Sequence, residues 1–249
     1  CAWAGCIDDG ERAKYVLDNL VRHGIDISRR ANHPQALPFH STIIIDTQAH
    51  TRNIFSERND FHGAHPQLPD EATIRSARVL LVDHVGIEGM IRAARIARAA
   101  CIPVVGDLER DTAPRFAELL SLVDHYIVGE KFALKLSGEA SPSRAAEKLA
   151  SEVARTAVVT CGGEGCWYFN AKQMQAPQMQ RAYKVDVVDT TGCGDVFHGA
   201  YAATLARGLA LEERVRLAAA AAALKATARG GQAGIPNRSR VENFVAERA

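Results

Sequence analysis

No apolar run in this chain is long enough to cross a bilayer, because charged residues interrupt every long apolar stretch. Neither sign of charge is in excess, with 30 Lys and Arg against 29 Asp and Glu. A broad electrostatic affinity for nucleic acid or for an anionic membrane is thereby excluded, and any anion site has to be local. The six cysteines, Cys1, Cys6, Cys101, Cys161, Cys166 and Cys193, form no CxxC pair and no zinc-type Cys/His spacing. Most sit in or beside apolar segments, and they read as free thiols of a reducing cytoplasm. A GxxxxGK[ST] string is missing, which excludes a P-loop enzyme, and so is the GxSxG elbow of serine hydrolases. His62 and His65 share a loop, but no HExxH and no third ligand accompany them. The opening residues, Cys1 to Ile7, carry no basic segment ahead of an apolar one and so do not read as a secretory leader. They read as the inside of a buried strand, as if the beginning of the chain were missing.

What is present suits a globular domain. The chain has 249 residues, 47% hydrophobic and 24% charged, enough to bury a sizeable core as one domain. Ala13, Val16, Leu17, Leu20 and Val21 recur at helical spacing and stop at His23-Gly24. Residues 41–46 and 52–55, split by a polar turn at 47–51, suit a β-hairpin, and 59–70 reads as loop. A regular rhythm follows. Strands are expected at 78–83, 102–105, 125–128 and 157–160, with helices at 89–100, 113–123, 131–136 and 142–155. Such alternation implies a doubly wound, mostly parallel sheet flanked by helices, since parallel neighbours need a crossover. Segments 165–170, 172–175 and 182–188 read as a small antiparallel excursion. Two helices, at 195–207 and 211–228, close the chain, and the alanine run at 218–223 favours helix and close packing.

The segment Val187-Val188-Asp189-Thr190-Thr191-Gly192-Cys193-Gly194-Asp195-Val196-Phe197-His198-Gly199-Ala200 carries the chemistry. An apolar strand runs into a glycine-bearing turn, which opens an apolar helix. Gly192 and Gly194 leave room for a ligand to approach the main chain. The helix start offers unpaired amides and the positive end of its dipole, a cradle for phosphate. Asp195 in that cradle is either a helix cap or a carboxylate placed to accept a hydroxyl proton as the oxygen attacks phosphorus.

The string Asp-Thr-Thr-Gly-Cys-Gly-Asp followed by Val-Phe-His-Gly-Ala resembles the carboxyl-terminal motif of the ribokinase (PfkB) family of carbohydrate kinases, where the usual form is Asp-Thr-x-Gly-Ala-Gly-Asp. Only Cys193 departs from it. The resemblance implies a ribokinase-like fold spanning residues 1–249, with residues about 35–56 forming part of a β-lid over the sugar. It implies Asp195 as catalytic base and the amides of Gly192, Cys193 and Gly194 as an anion hole. Val158 to Cys166 is similar to the Thr-x-Gly-x-x-Gly segment bordering the nucleotide phosphates, so Thr160, Gly162, Gly165, Thr191 and Gly231 are expected at ATP. Asp189, Thr191 and Gly230 fall where relatives hold a monovalent cation such as K+. Residues 228–236 match the late glycine loop. Many members carry Asn-x-x-Glu after the third of these strands, where this chain has Gly129-Glu130-Lys131-Phe132, leaving Glu130 as the candidate for the Mg2+–phosphate complex.

The expected activity is ATP-dependent phosphorylation of a sugar hydroxyl by a homodimeric cytoplasmic enzyme. Its partners are a small sugar and ATP, with no nucleic acid and no membrane. A nucleoside or vitamin kinase of the same fold, or a non-catalytic sugar or nucleotide sensor, remains as the alternative. Asn237-Arg238-Ser239 is a glycosylation sequon without a secretory context.

Overall fold

The structure is a computed structural model and describes residues 1–46, 51–57 and 61–248. Its chain falls into two compact units, Cys1–Ile74 with Val85–Ala93, and Arg75–His84 with Ala94–Ala249.

The first unit opens with β1 (Gly5–Ile7), α1 (Glu11–Arg22), β2 (Ala31–Asn32), β3 (His40–Asp46), β4 (Thr51–Glu57) and β5 (Gly63–Ala64), followed by α2 (Glu71–Arg75). All three residues of β1 are buried, and it pairs parallel to β2 and antiparallel to β5. On α1 only Ala13 is fully buried, while Val21, expected on the apolar face and sited in the last turn, is 55% exposed. The expected hairpin forms: β3 and β4 pair antiparallel with Thr42 opposite Phe55, and Ser41 Oγ lies 3.0 Å from Ser56 Oγ. Most of the connecting turn at 47–51 lies outside the described residues, as does the start of the loop expected at 59–70.

Beyond α2 the chain alternates strand and helix: β6 (Leu80–Asp83), α3 (Ile87–Ala99), β7 (Val104–Asp107), α4 (Phe116–Ser121), β8 (His125–Gly129), α5 (Glu130–Ser137), α6 (Pro142–Glu152) and β9 (Thr156–Thr160). It then continues through β10 (Gly165–Asn170), β11 (Gln178–Arg181), α7 (Cys193–Leu205), α8 (Leu211–Ala226) and α9 (Arg238–Ala246). One six-stranded sheet runs in the order β11-β10-β9-β8-β7-β6, parallel from β6 to β9 and antiparallel from β9 to β11. Val104, Val105, Ile127, Val128, Val158 and Val159 are wholly buried, as a parallel sheet covered on both faces requires. Phe197 and Tyr201 of α7 and Val215 and Ala218 of α8 pack on Val105, Ile127 and Val158. The outer stripe of α8, Leu217, Ala221 and Leu224, is closed by Val241, Phe244 and Val245 of α9.

The sequence reading did not anticipate β2 or α2, and β5 pairs with β1 from within the segment expected as loop. Three further elements differ from it. The last strand is β11, not 172–175 or 182–188. At 172–175 the chain turns, because the Asn170 carbonyl accepts the Gln173 and Met174 amides at 3.2 and 3.0 Å. Residues 182–188 leave the sheet for the end of α8, where the Ala226 carbonyl accepts the Val188 amide at 2.8 Å. Helix α4 starts at Phe116 and not at 113, since Pro114 disfavours helix at the residue before it and Arg115 sits at φ +63°. Helix α9 was not anticipated at all. Its N-cap is Asn237, the sequon residue, whose side-chain oxygen accepts the Arg240 amide at 2.9 Å.

Candidate active site

The parallel strands end at one edge, with Asp83 beside Asp107 and Gly129 beside Thr160 in register. Open α/β sheets bind ligands outside that edge. Helix α7 begins there. Gly192 is its N-cap at φ +78°, a conformation that disfavours any side chain, and an added Cβ would stand 2.8 Å from the Gly231 carbonyl oxygen. The Gly192 amide donates to no group among the described residues. The Gly194 amide lies in the first turn, where a helix supplies no acceptor. The third amide of the expected anion hole, that of Cys193, closes the turn onto the Thr190 carbonyl at 3.2 Å. Asp195 is exposed in the first turn and lines a cavity of about 650 Å³ together with Thr191, Gly192, Gly199, Gly231 and Gln232. An acid at this helix end faces the positive pole of the dipole.

Ahead of the turn, the three residues expected at a cation do converge. The Asp189 carboxylate accepts the Thr191 amide and the Gly230 amide, each at 2.8 Å. These two bonds, helped by the charge of Lys225, hold its carboxyl down at about 2. Lys225, wholly buried on α8, donates from Nζ to the Asp189 carbonyl at 2.9 Å. One aspartate thus ties the turn ahead of α7 to the late glycine loop.

Behind the turn stands His198, buried on α7. Its Nδ1 lies 2.8 Å from the Gly194 carbonyl, and its Nε2 lies 3.1 Å from the Ile127 carbonyl and 3.7 Å from Asp107 Oδ1. A neutral imidazole can donate to only one of these carbonyls. The ring links the first turn of α7 to β7 and β8. Burial raises the Asp107 carboxyl; the His198 ring opposes that rise, while the charges of Glu109, Asp195 and Asp83 add to it. Sequence reasoning missed Lys225, His198 and Asp107 as site residues. The available signals were a lysine placed just after the alanine run of α8, a histidine one turn into the motif helix, and the aspartate that ends β7.

The other expected residues stand elsewhere along the edge. Thr160 ends β9, its Oγ1 3.4 Å from the Val128 carbonyl, and Gly162 opens a single 3-10 turn over Gly162–Glu164. Gly165 is required by packing: at φ +116°, a Cβ would fall 2.0 Å from the Gln180 carbonyl oxygen. Glu130 is the first residue of α5. Together with burial, which dominates, its charge pushes the Cys161 thiol up to about 11. None of Thr160, Gly162, Gly165 and Glu130 lines the cavity beside Asp195. Among the described residues, no group of three or more His, Cys, Asp or Glu is arranged to hold a metal ion, so His62 and His65 gain no third partner. No described helix is long and apolar enough to cross a membrane.

The profile described as pfkB family carbohydrate kinase matches residues 1–238. The ribokinase of Lactococcus lactis is 34% identical over 130 residues, 52% of this chain and 41% of that protein's length. Among solved structures, the ribokinase of Thermotoga maritima superposes with a TM-score of 0.82 at 26% identity, covering 99% of this chain and 81% of that one. The ribokinase of Arabidopsis thaliana, solved with ribose and ATP, superposes at 0.85 with 23% identity over 98% of this chain and 81% of its own. At that identity it is alike in fold.

Proposed function

Because this chain belongs to the pfkB family of carbohydrate kinases, we propose that it transfers the γ-phosphoryl group of ATP to a hydroxyl of a sugar, with Asp195 as the general base. The observation that carries this reading is the exposed Asp195 carboxylate, beside a glycine turn and lining a cavity of about 650 Å³. In the proposed step Asp195 accepts the hydroxyl proton while the oxygen attacks the γ-phosphorus in line. The amides of Gly192 and Gly194 stabilise charge on the phosphoryl oxygens, with Cys193 contributing to the extent that its bond to Thr190 leaves it available. Thr160, Gly162, Thr191 and Gly231 are assigned to the nucleotide. ATP as donor is supported by the family and by the Arabidopsis ribokinase, alike in fold and solved with ATP.

Mg2+ fits this arrangement as an ion carried by the nucleotide. It keeps several waters and needs only one or two carboxylates besides phosphate, consistent with the lack of any three-ligand cluster among the described residues. Glu130, at the edge of the sheet, is the carboxylate assigned to it. Bound there, Mg2+ would neutralise charge on the β- and γ-phosphates.

The test is Asp195→Asn, assayed by ADP release with a panel of sugars, nucleosides and vitamins, and by calorimetric titration with ATP. Turnover should fall by roughly 10²- to 10⁴-fold, the contribution of a placed general base, with ATP affinity nearly unchanged. Near-normal turnover would remove Asp195 from the role. Turnover confined to nucleosides or vitamins would correct the acceptor class.

A further inference from the structure

Lys225 stands near the end of α8 and has no exposed surface. An ammonium taken wholly out of water is unfavourable unless it is compensated. Its compensation is specific: Nζ donates to the Asp189 carbonyl at 2.9 Å, and the Asp189 carboxylate supplies negative charge nearby. From Asp189 the chain runs directly into the turn, where the Thr190 carbonyl accepts the Cys193 amide and α7 begins. The sequence resemblance implies K+ among Asp189, Thr191 and Gly230, and the residues present do not fit it. Each Asp189 carboxylate oxygen accepts one backbone amide, and its carbonyl is taken by the Lys225 ammonium, so the misfit is one of charge: the single negative charge of the set is already matched by a buried positive one. A free cation there would add a second full positive charge beside Lys225.

We propose that the Lys225 ammonium is a built-in cation that replaces a free monovalent ion at the turn leading to Asp195. The positive charge that organises Asp189 and the Gly230 loop is then covalently attached and independent of the salt supplied. Lys225 is a positioning residue: it acts on the reaction through Asp189 and the turn. For its link to catalysis the inference rests on the phosphotransfer reading, while the identity of the cation is testable without catalysis.

The first measurement is the melting temperature of the unmodified protein in KCl and in choline chloride at equal ionic strength. No K+-specific rise is expected, and a clear rise in K+ would overturn the proposal. The second uses Lys225→Ala, which leaves space for an ion. In choline chloride it should melt lower and turn over roughly a hundred-fold more slowly, the loss expected when misplacement of about 1 Å reaches reacting groups. K+ or NH4+ should raise both quantities again, whereas Lys225→Met, which fills the space, should show the losses without rescue. A purely structural lysine would give losses without rescue in Lys225→Ala as well, and that result would also overturn the proposal. If Lys225→Ala does not fold in choline chloride, its folding in K+ or NH4+ is compared; failure to fold in either salt would equally overturn the proposal. Should the unmodified protein show no phosphotransfer, that reading fails while the melting comparisons still decide the cation.

Discussion

Gly194 offers a substitution whose effects on stability and on activity should point in opposite directions. It is the second residue of α7, outside the left-handed region, and a Cβ built there meets nothing within 4 Å. Glycine in a helix is about 0.5–1 kcal/mol less favourable than alanine. At a first-turn position we expect about half a kcal/mol of stabilisation from Gly194→Ala, a rise of about 1–2 °C for a chain of this size. The new methyl, however, would stand where phosphoryl oxygens reach the first-turn amides. Loss of one such donor costs about 10²–10³ in kcat, roughly 2.7–4 kcal/mol. The variant should therefore melt slightly higher and turn over at least about a hundred-fold more slowly, read by thermal melting and ADP release on the same preparation. Full turnover with the raised melting temperature would refute the placement of the anion hole. Gly192→Ala is the contrast. It forces an L side chain to φ +78° with its Cβ 2.8 Å from the Gly231 carbonyl oxygen. The left-handed conformation alone costs about 1–2 kcal/mol, so this variant should lose several degrees along with its activity.

Two further outcomes follow from the same geometry. Gly165→Ala would bring a Cβ to 2.0 Å from the Gln180 carbonyl oxygen and 2.7 Å from the Ala182 nitrogen, so the β10–β11 pair cannot close; a large fall in melting temperature is expected, and an unchanged melt would refute the packing argument. His125 gives a pH dependence: burial first, then the charges of Arg214 and Arg155, pushes its imidazole from 6.5 down to about 3. The folded value lies below the unfolded one, so its contribution is complete above pH 6.5 and is lost as the pH falls toward 3, by up to about 1.4 kcal/mol per unit. Urea unfolding of the parent and of His125→Gln at pH 7.5 and pH 5 should show a smaller acid loss in the variant, and equal losses would exclude His125 as the cause.

The parts of the fold that were legible are those whose burial is uniform. Val104-Val105, Ile127-Val128 and Val158-Val159 announce a sheet covered on both faces, because no polar alternation is tolerated there. The edge strand β11 carries no such mark: Gln178-Met179-Gln180-Arg181 pairs on one side only, and a polar composition suits an edge. Helix α9 did have its apolar spacing, Val241, Phe244 and Val245. Its start was hidden because Asn237 fits two local readings, sequon and N-cap, and only a fold decides between them. At the candidate site, Asp195 and Gly192 were legible because both belong to one local turn. Lys225 and His198 were not. Each matters through a partner more than thirty residues away, Asp189 for one and Ile127 and Asp107 for the other, and neither pairing leaves a local pattern.

Glycines show most clearly how sequence and structure divide the work. In the string they are equivalent, each a place where a ligand could come near the main chain. In three dimensions most have another reason to be glycine. Gly162, Gly192 and Gly230 take positive φ, Gly165 is crowded by the neighbouring strand, and Gly234 is crowded by the Lys225 carbonyl. Only Gly163, Gly194, Gly199 and Gly231 combine an ordinary φ with a Cβ position free of close contact. All four fall within the segments assigned to phosphate and nucleotide, and two of them line the cavity beside Asp195. A helix-interior glycine such as Gly199 weakens α7 by about 0.5–1 kcal/mol relative to alanine, and nothing in the packing of the chain requires it. Glycine without a packing reason, at Gly194 and Gly199 on the helix that carries Asp195 and at Gly231 across the cavity from it, is what close approach of a ligand to that helix would demand.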